Sequence, residues 1–126
     1  MKIEHTALYA EDLEAMKEFF ETWFACTSTD LYHNPRTGFS SRFLSFEEGS
    51  RLEIMHRDDI TEKPGTEHLG LVHLCLSVGS PNQVDEMARK LDQAGFPVLS
   101  GPRTTGDGCY EAQIQGPEHL ILELTV

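Results

Sequence analysis

A chain of 126 residues, with 39% hydrophobic and 25% charged side chains, is long enough for one packed core and too apolar to be a disordered tail. Ten Lys plus Arg stand against 21 Asp plus Glu, a formal net charge of −11. That background repels phosphate backbones and anionic headgroups, so neither nucleic acid nor a membrane surface is an expected partner.

In chain order, Ile3 to Tyr9 alternates as a short strand. A helix follows from about Asp12 to Phe24: Asp12 is a capping residue, and Leu13, Met16, Phe20, Trp23 and Phe24 recur at spacings of three and four to form an apolar stripe. Strand-like runs come next at about Cys26 to Tyr32, Phe39 to Phe46 and Arg51 to His56, broken by Asn34-Pro35-Arg36-Thr37-Gly38 and Glu47-Glu48-Gly49-Ser50. A polar connector over residues 58–70, with Pro64-Gly65 inside it, leads to a second strand signal from Leu71 to Val78. The second helix has Ser80 as cap, Pro81 at its first position, Gln83 to complete a capping box, Val84, Met87, Ala88 and Leu91 as its stripe, and Gly95 as its stop. Strands at about Val98 to Leu99, Cys109 to Gln115 and Leu120 to Val126 finish the chain, separated by a Gly-rich loop at Thr104 to Gly108 and by Gly116-Pro117.

The order strand, helix, three strands therefore occurs twice, which predicts an α+β domain over 1–126 made of a module at 1–57, the connector at 58–70 and a second module at 71–126. Cys26, Cys75 and Cys109 are odd in number and never form a C-x-x-C pair, a pattern that predicts packed, reduced thiols. Glu4, His5, Glu11 and Asp12 interrupt the apolar residues near the start, and no window approaches the ~20 apolar residues of a membrane span. A cytoplasmic location is the expectation.

His5 and His73 occupy the first predicted strand of each half, and Glu53 and Glu123 the last. The His-to-Glu separation is 48 residues in the first half and 50 in the second. Alternation decides where these side chains point, because strand residues two apart share a face. Val72, Leu74, Leu76 and Val78 form an apolar row, leaving His73 with Cys75 and Ser77 on the other side. Leu122 and Leu124 alternate with Glu123; Leu52 and Ile54 alternate with Glu53, which shares its face with Arg51 and Met55; and His5 sides with Ile3, Ala7 and Tyr9. Helices covering one side of a curved sheet leave a concave face on which two imidazoles and two carboxylates can converge. Such donors suit a divalent ion of zinc, nickel, cobalt, iron or manganese. His33, His56, His68 and His119 read as solvated or structural, and Gly106-Asp107-Gly108 as a turn, since no strand-to-helix transition follows it. Arg51 is placed to pair with Glu53 or to meet an anionic substrate, and Tyr110 and Arg103 flank a loop that reads as either a lid or an ordinary turn.

At Ile3-Glu4-His5-Thr6 leading to Asp12-Leu13, at Leu52-Glu53-Ile54, at Val72-His73-Leu74-Cys75-Leu76-Ser77-Val78 and at Ile121-Leu122-Glu123-Leu124, the chain resembles the vicinal oxygen chelate superfamily. That superfamily includes glyoxalase I, methylmalonyl-CoA epimerase, extradiol dioxygenases and the fosfomycin and bleomycin resistance proteins. The resemblance covers essentially the whole chain. It implies paired βαβββ modules that form a curved mixed-sheet cup covered by helices, with His5, Glu53, His73 and Glu123 at the four metal-ligand positions of the glyoxalase I branch. It further implies a metal-dependent lyase or isomerase, related to lactoylglutathione lyase, acting on a small molecule with adjacent oxygens. The cation would stabilise the enediolate formed when a carbon-bound proton is removed, with Glu123 as the base and Glu53 as its mirror candidate. A homodimer is implied as well, with the modules pairing either within one chain or across two chains that share the site. Tyr9 stands where an Arg commonly holds glutathione, Met55-His56 where an Asn helps, and Gly116-Pro117-Glu118-His119 replaces the usual Asp-Pro-Asp-Gly, departures that weigh against a glutathione substrate. The alternatives are a bleomycin-type protein that sequesters a ligand without turnover, an accessory interaction module, or an epimerase of the same superfamily.

Overall fold

The computed structural model describes all residues except Pro64, Thr66 and Glu67, so Pro64 of the expected Pro64-Gly65 turn lies outside the described residues. The chain forms two compact units, 1–63 and 64–126, each with a mixed sheet of its own and one long helix.

In the first unit, β1 (His5–Tyr9) is followed by α1 (Leu13–Trp23), β2 (Thr27–Ser28), β3 (Tyr32–Asn34), β4 (Phe39–Ser45) and β5 (Arg51–His56). The sheet order is β1-β5-β4-β2, with β3 also on β4; β1 and β5 run parallel, and the other pairs are antiparallel. Asp12 caps α1 by accepting the Ala15 N–H at 2.9 Å. Leu13, Met16, Phe19 and Phe20 are the buried residues of α1. Phe19 thus takes the inner place that the stripe assigned to Trp23, which is only half-buried, and its ring packs edge-on against Phe20 and Phe24. The Arg42 guanidinium ties β4 to the helix through Glu14, 2.8 Å away.

The expected continuous strand from Cys26 to Tyr32 is instead broken into β2 and β3, both lying along β4. Thr29 explains the break. Its hydroxyl, rather than its carbonyl, accepts the Phe43 N–H at 3.0 Å, and the carbonyl so released accepts from Arg42 at 2.7 Å. A side chain has replaced a backbone group in the ladder.

The second unit comprises β6 (Leu74–Ser77), α2 (Pro81–Gln93), β7 (Val98–Thr104), β8 (Tyr110–Gln115), a 3-10 turn (Pro117–His119) and β9 (Ile121–Thr125), in the sheet order β6-β9-β8-β7. β6 and β9 are parallel. Ser80 caps α2 by accepting the Gln83 N–H at 3.3 Å, and its hydroxyl donates to the Gln83 side-chain carbonyl at 2.9 Å, so the box closes through the two side chains. At the other end Phe96 N–H donates to Leu91 O and Gly95 N–H to Asp92 O, with Gly95 at φ +94°, the left-handed stop its position predicts.

Two boundaries in this unit differ from expectation. β6 begins at Leu74 rather than Leu71, so His73 immediately precedes the strand, and Leu71 and Val72 are exposed. The reason lies in its partner: Leu74 pairs with Leu122, and β9 itself begins only one residue earlier, after the 3-10 turn. β7 runs on to Thr104 instead of ending at Leu99, absorbing Gly101-Pro102 as register shifts against β8. Gly101 sits at φ +82°, and a Cβ there would lie 2.5 Å from the Glu111 carbonyl oxygen, so the close approach of the two strands requires glycine.

The inward rows are those that alternation selects. Leu44, Leu52 and Ile54 are buried in the first unit, and Ala112, Ile114, Leu122 and Leu124 in the second. α1 packs on β4 and β5, and α2 on β7, β8 and β9. Glu53 and Glu123, between buried neighbours in sequence, consequently project from the side of each sheet away from its helix. Among the described residues no helix is long and apolar enough to cross a membrane. Of the three cysteines only Cys26 is packed as expected; Cys75 and Cys109 are exposed because they stand on or beside the outward row.

Truncating the fully buried Ile114 to Ala should destabilise the protein by about 2–5 kcal/mol, the range for large-to-small core substitutions. Ser80→Ala should cost about 0.5–2 kcal/mol through the lost cap. Urea unfolding curves measure both, with the larger midpoint shift expected for Ile114→Ala.

Candidate functional site

Each parallel strand pair brings one histidine and one glutamate together. In the first unit, Ala7 is the register partner of Glu53, which puts His5 two residues back along the same face; His5 Nε2 lies 3.9 Å from Glu53 Oε2. In the second, Cys75 is the register partner of Glu123, and His73, again two residues back, lies with Nε2 3.8 Å from Glu123 Oε1. The exposure pattern repeats too: the carboxylates are the sheltered members, at 16% and 13%, and the imidazoles the open ones, at 40% and 35%.

These separations are too long for hydrogen bonds. They do fall within the span that one divalent ion bridges, since metal–nitrogen and metal–oxygen bonds of about 2.0–2.2 Å let two donors stand up to about 4.4 Å apart. Imidazole nitrogen with carboxylate oxygen is also a donor set that such ions accept. Among the described residues the structure groups these donors as pairs, and no cluster of three or more His, Cys, Asp or Glu poised around a metal is formed.

The surroundings of the two pairs differ. Phe43 and Ala7 flank Glu53 across the sheet, and neither side chain offers a donor. Cys75 and Gln113 flank Glu123, and the Gln113 amide donates to Glu123 Oε2 at 3.3 Å while Oε1 faces His73. Desolvation around the Cys75 sulfur, followed by its hydrogen bond to Glu123, pushes that thiol up to about 12. Without a bound metal, Cys75 therefore stays protonated near neutrality, with its thiol toward the Glu123 carboxylate.

On the other side His5 is engaged at its second nitrogen. Nδ1 lies 2.5 Å from Glu4 Oε2, and Glu4 Oε1 in turn accepts from Arg51 Nε at 2.8 Å and Nη2 at 2.5 Å. The His5 hydrogen bond first, and then Arg51, hold the Glu4 carboxyl below the ordinary glutamate range. Arg51 thus pairs with Glu4, not with Glu53, because its guanidinium turns toward the strand start and rests 4.2 Å from the centre of the Phe43 ring.

The remaining histidines have structural partners. His56 bonds the Ala10 carbonyl and Asp58, His68 the Gly65 and Leu71 carbonyls, His33 the Ser40 hydroxyl, and His119 the Gln115 amide. Tyr110 donates to Asp85 on α2 at 2.6 Å, tying the end of the Gly-rich loop to the helix, and Arg103 donates to Ser100 on its own strand at 2.6 Å. Glu4 and Gln113 escaped the sequence reading. Alternation counted from His5 sends Glu4 to the opposite face, but Glu4 precedes β1 and is not bound by that rule. Gln113, between buried Ala112 and Ile114, carried a legible signal of facing with Glu123.

Comparison with known proteins accords with this architecture. The model of the glyoxalase/bleomycin resistance protein/dioxygenase superfamily matches residues 2–124. The uncharacterized protein YqjT of Bacillus subtilis (strain 168) is 30% identical over 127 residues, spanning 97% of this chain and 96% of that protein. The crystal structure of a glyoxalase family protein from Enterococcus faecalis superposes with a TM-score of 0.81 at 25% identity, covering 99% of this chain and 97% of the other. The trypanothione-dependent glyoxalase I of Leishmania major shares the fold, with a TM-score of 0.79 at 18% identity over 99% of this chain and 86% of its own. With a superfamily match over nearly its whole length and the vicinal oxygen chelate fold in its neighbours, the chain belongs to the glyoxalase/bleomycin resistance/dioxygenase superfamily.

Proposed function

We propose that this protein is a metal-dependent lyase or isomerase of glyoxalase type, acting on a small molecule with adjacent oxygens by removing and returning a carbon-bound proton. The observation that carries this reading is the repeated His–Glu pair: the same two residue types, at 3.9 Å and 3.8 Å, at equivalent places in both units. His5, Glu53, His73 and Glu123 are the proposed ligands of a divalent ion from the group zinc, nickel, cobalt, iron and manganese. Such an ion, when bound, supplies Lewis acidity that lowers the cost of negative charge on the substrate oxygens.

Proton transfer is the work of the carboxylates. Glu123 is the proposed base: the Gln113 amide steadies Oε2 and leaves Oε1 facing His73. Removal of the proton yields an enediolate, and the same carboxyl returns the proton to the neighbouring carbon. Glu53, lacking a donor on its sheet neighbours, is the mirror candidate. The residues that depart from the glutathione-binding pattern, Tyr9, Met55 and His56, support a substrate other than a glutathione adduct. The family resemblance supports a homodimer.

Protein purified without a metal-binding tag should carry about one divalent ion per chain by elemental analysis, and His73→Ala and Glu123→Ala should each lower that content. Equal content in all three proteins would overturn the reading. With an α-hydroxycarbonyl compound in deuterated water, the loaded protein should incorporate deuterium at carbon, and Glu123→Gln should slow this by about 10²- to 10⁴-fold, the usual contribution of a general base. Saturable binding without any exchange would favour a sequestering protein instead.

A further inference from the structure

The two His–Glu pairs repeat, but what holds them in place does not. The residue before His73 is Val72, whereas the residue before His5 is Glu4, whose carboxylate lies 2.5 Å from His5 Nδ1. Where the second unit has Ile121 two residues before its glutamate, the first has Arg51, which grips Glu4 through Nε and Nη2. Backbone bonds lock the same corner: Arg51 N–H donates to Glu4 O at 3.0 Å, and the Ser50 hydroxyl donates to Ile3 O at 2.6 Å. Phe43 completes it, with the His5 ring edge-on at 5.3 Å and the Arg51 guanidinium over its face.

We propose that Glu4, clamped by Arg51, is a positioning residue that fixes His5 in the tautomer carrying its proton on Nδ1, so that Nε2 presents a lone pair toward Glu53. The proposal rests on the metal-ligand reading of the preceding section and adds to it a residue that does not itself touch the ion. The physical ground is the hydrogen count of imidazole. A neutral ring carries one N–H, and a carboxylate can only accept, so a carboxylate at Nδ1 selects the Nδ1–H form and leaves Nε2 free to ligate. The opposite tautomer would aim a hydrogen into the space between Nε2 and Glu53. The contact also fixes the ring plane. Each His–Glu pair thereby has one donor held from behind: the histidine by Glu4 in the first unit, and the carboxylate by Gln113 in the second.

Two measurements test this. In the metal-free protein at about pH 8.5, where an ordinary imidazole is neutral, long-range ¹H–¹⁵N NMR should place the His5 proton on Nδ1, and Glu4→Ala should shift it toward Nε2. Zinc affinity, read by competition with a chromophoric chelator, should fall about 10- to 100-fold in Glu4→Ala, the usual effect of removing an outer-sphere partner. Glu4→Asp should recover part of the loss, and Arg51→Met, which leaves the His5–Glu4 contact but frees its far end, should lose less than Glu4→Ala. His5→Ala serves as the reference for a missing ligand. If His5→Ala loses zinc while Glu4→Ala binds as the unaltered protein does, or if the unaltered protein carries the proton on Nε2, the positioning role is overturned and the ligand reading stands. If His5→Ala binds zinc as tightly as the unaltered protein, the ligand reading itself falls and takes this role with it.

Discussion

A parallel ladder between the first and last strands of each unit is the constraint from which the rest of the site follows. A histidine and a glutamate 48 or 50 residues apart meet only because β1 lies beside β5, and β6 beside β9, in parallel register. Parallel neighbours cannot be joined by a hairpin, so the chain must leave the sheet and return. The helix and the intervening antiparallel strands are that return path, and by covering one face of the sheet they leave the other to carry His and Glu. Slipping either ladder by one residue would turn the glutamate toward the helix and expose Leu52 or Leu122 in its place. The buried leucine and isoleucine rows therefore stabilise the site's geometry as well as the fold.

Duplication of this arrangement has produced equivalents in position but not in environment. Glu53 stands between Ala7 and Phe43, and Glu123 between Cys75 and Gln113. One carboxylate consequently meets an apolar and aromatic surface, and the other meets two hydrogen-bond donors. Donors to a carboxylate restrict its motion, whereas an apolar flank does not. The two glutamates are therefore held with unlike firmness. The chain's net charge of −11 acts on the whole assembly in one direction, drawing cations toward the protein.

Much of the fold was legible because it is written in short-range periodicity. Both helices, their Asp12 and Ser80 caps and the Gly95 stop lie where the pattern of threes and fours and the capping chemistry put them. β5 occupies the expected residues, and the alternation around Glu53 and Glu123 selects the outward face. Errors arose where a distant partner decided the outcome. The edge strand broke at Thr29 because its hydroxyl competes for a bond that only β4 can offer, and β7 lengthened because β8 extends far enough to pair across Gly101-Pro102. Phe19 and Trp23 exchanged roles because both lie near the edge of the helix stripe, where packing rather than periodicity settles which ring is inside.

The candidate site divides in the same way. By itself the sequence determined which residue types sit at equivalent places in the two halves, and on which side of a strand each of them points, because alternation is a local property of extended backbone. Only the tertiary structure decided that His5 and Glu53, and likewise His73 and Glu123, come within 4 Å, since that depends on a ladder register between strands remote in sequence. It alone also turned Glu4 back onto His5 and Arg51 away from Glu53. Glu4 lies just outside the strand, where alternation no longer constrains its direction and the nearest compatible charge does.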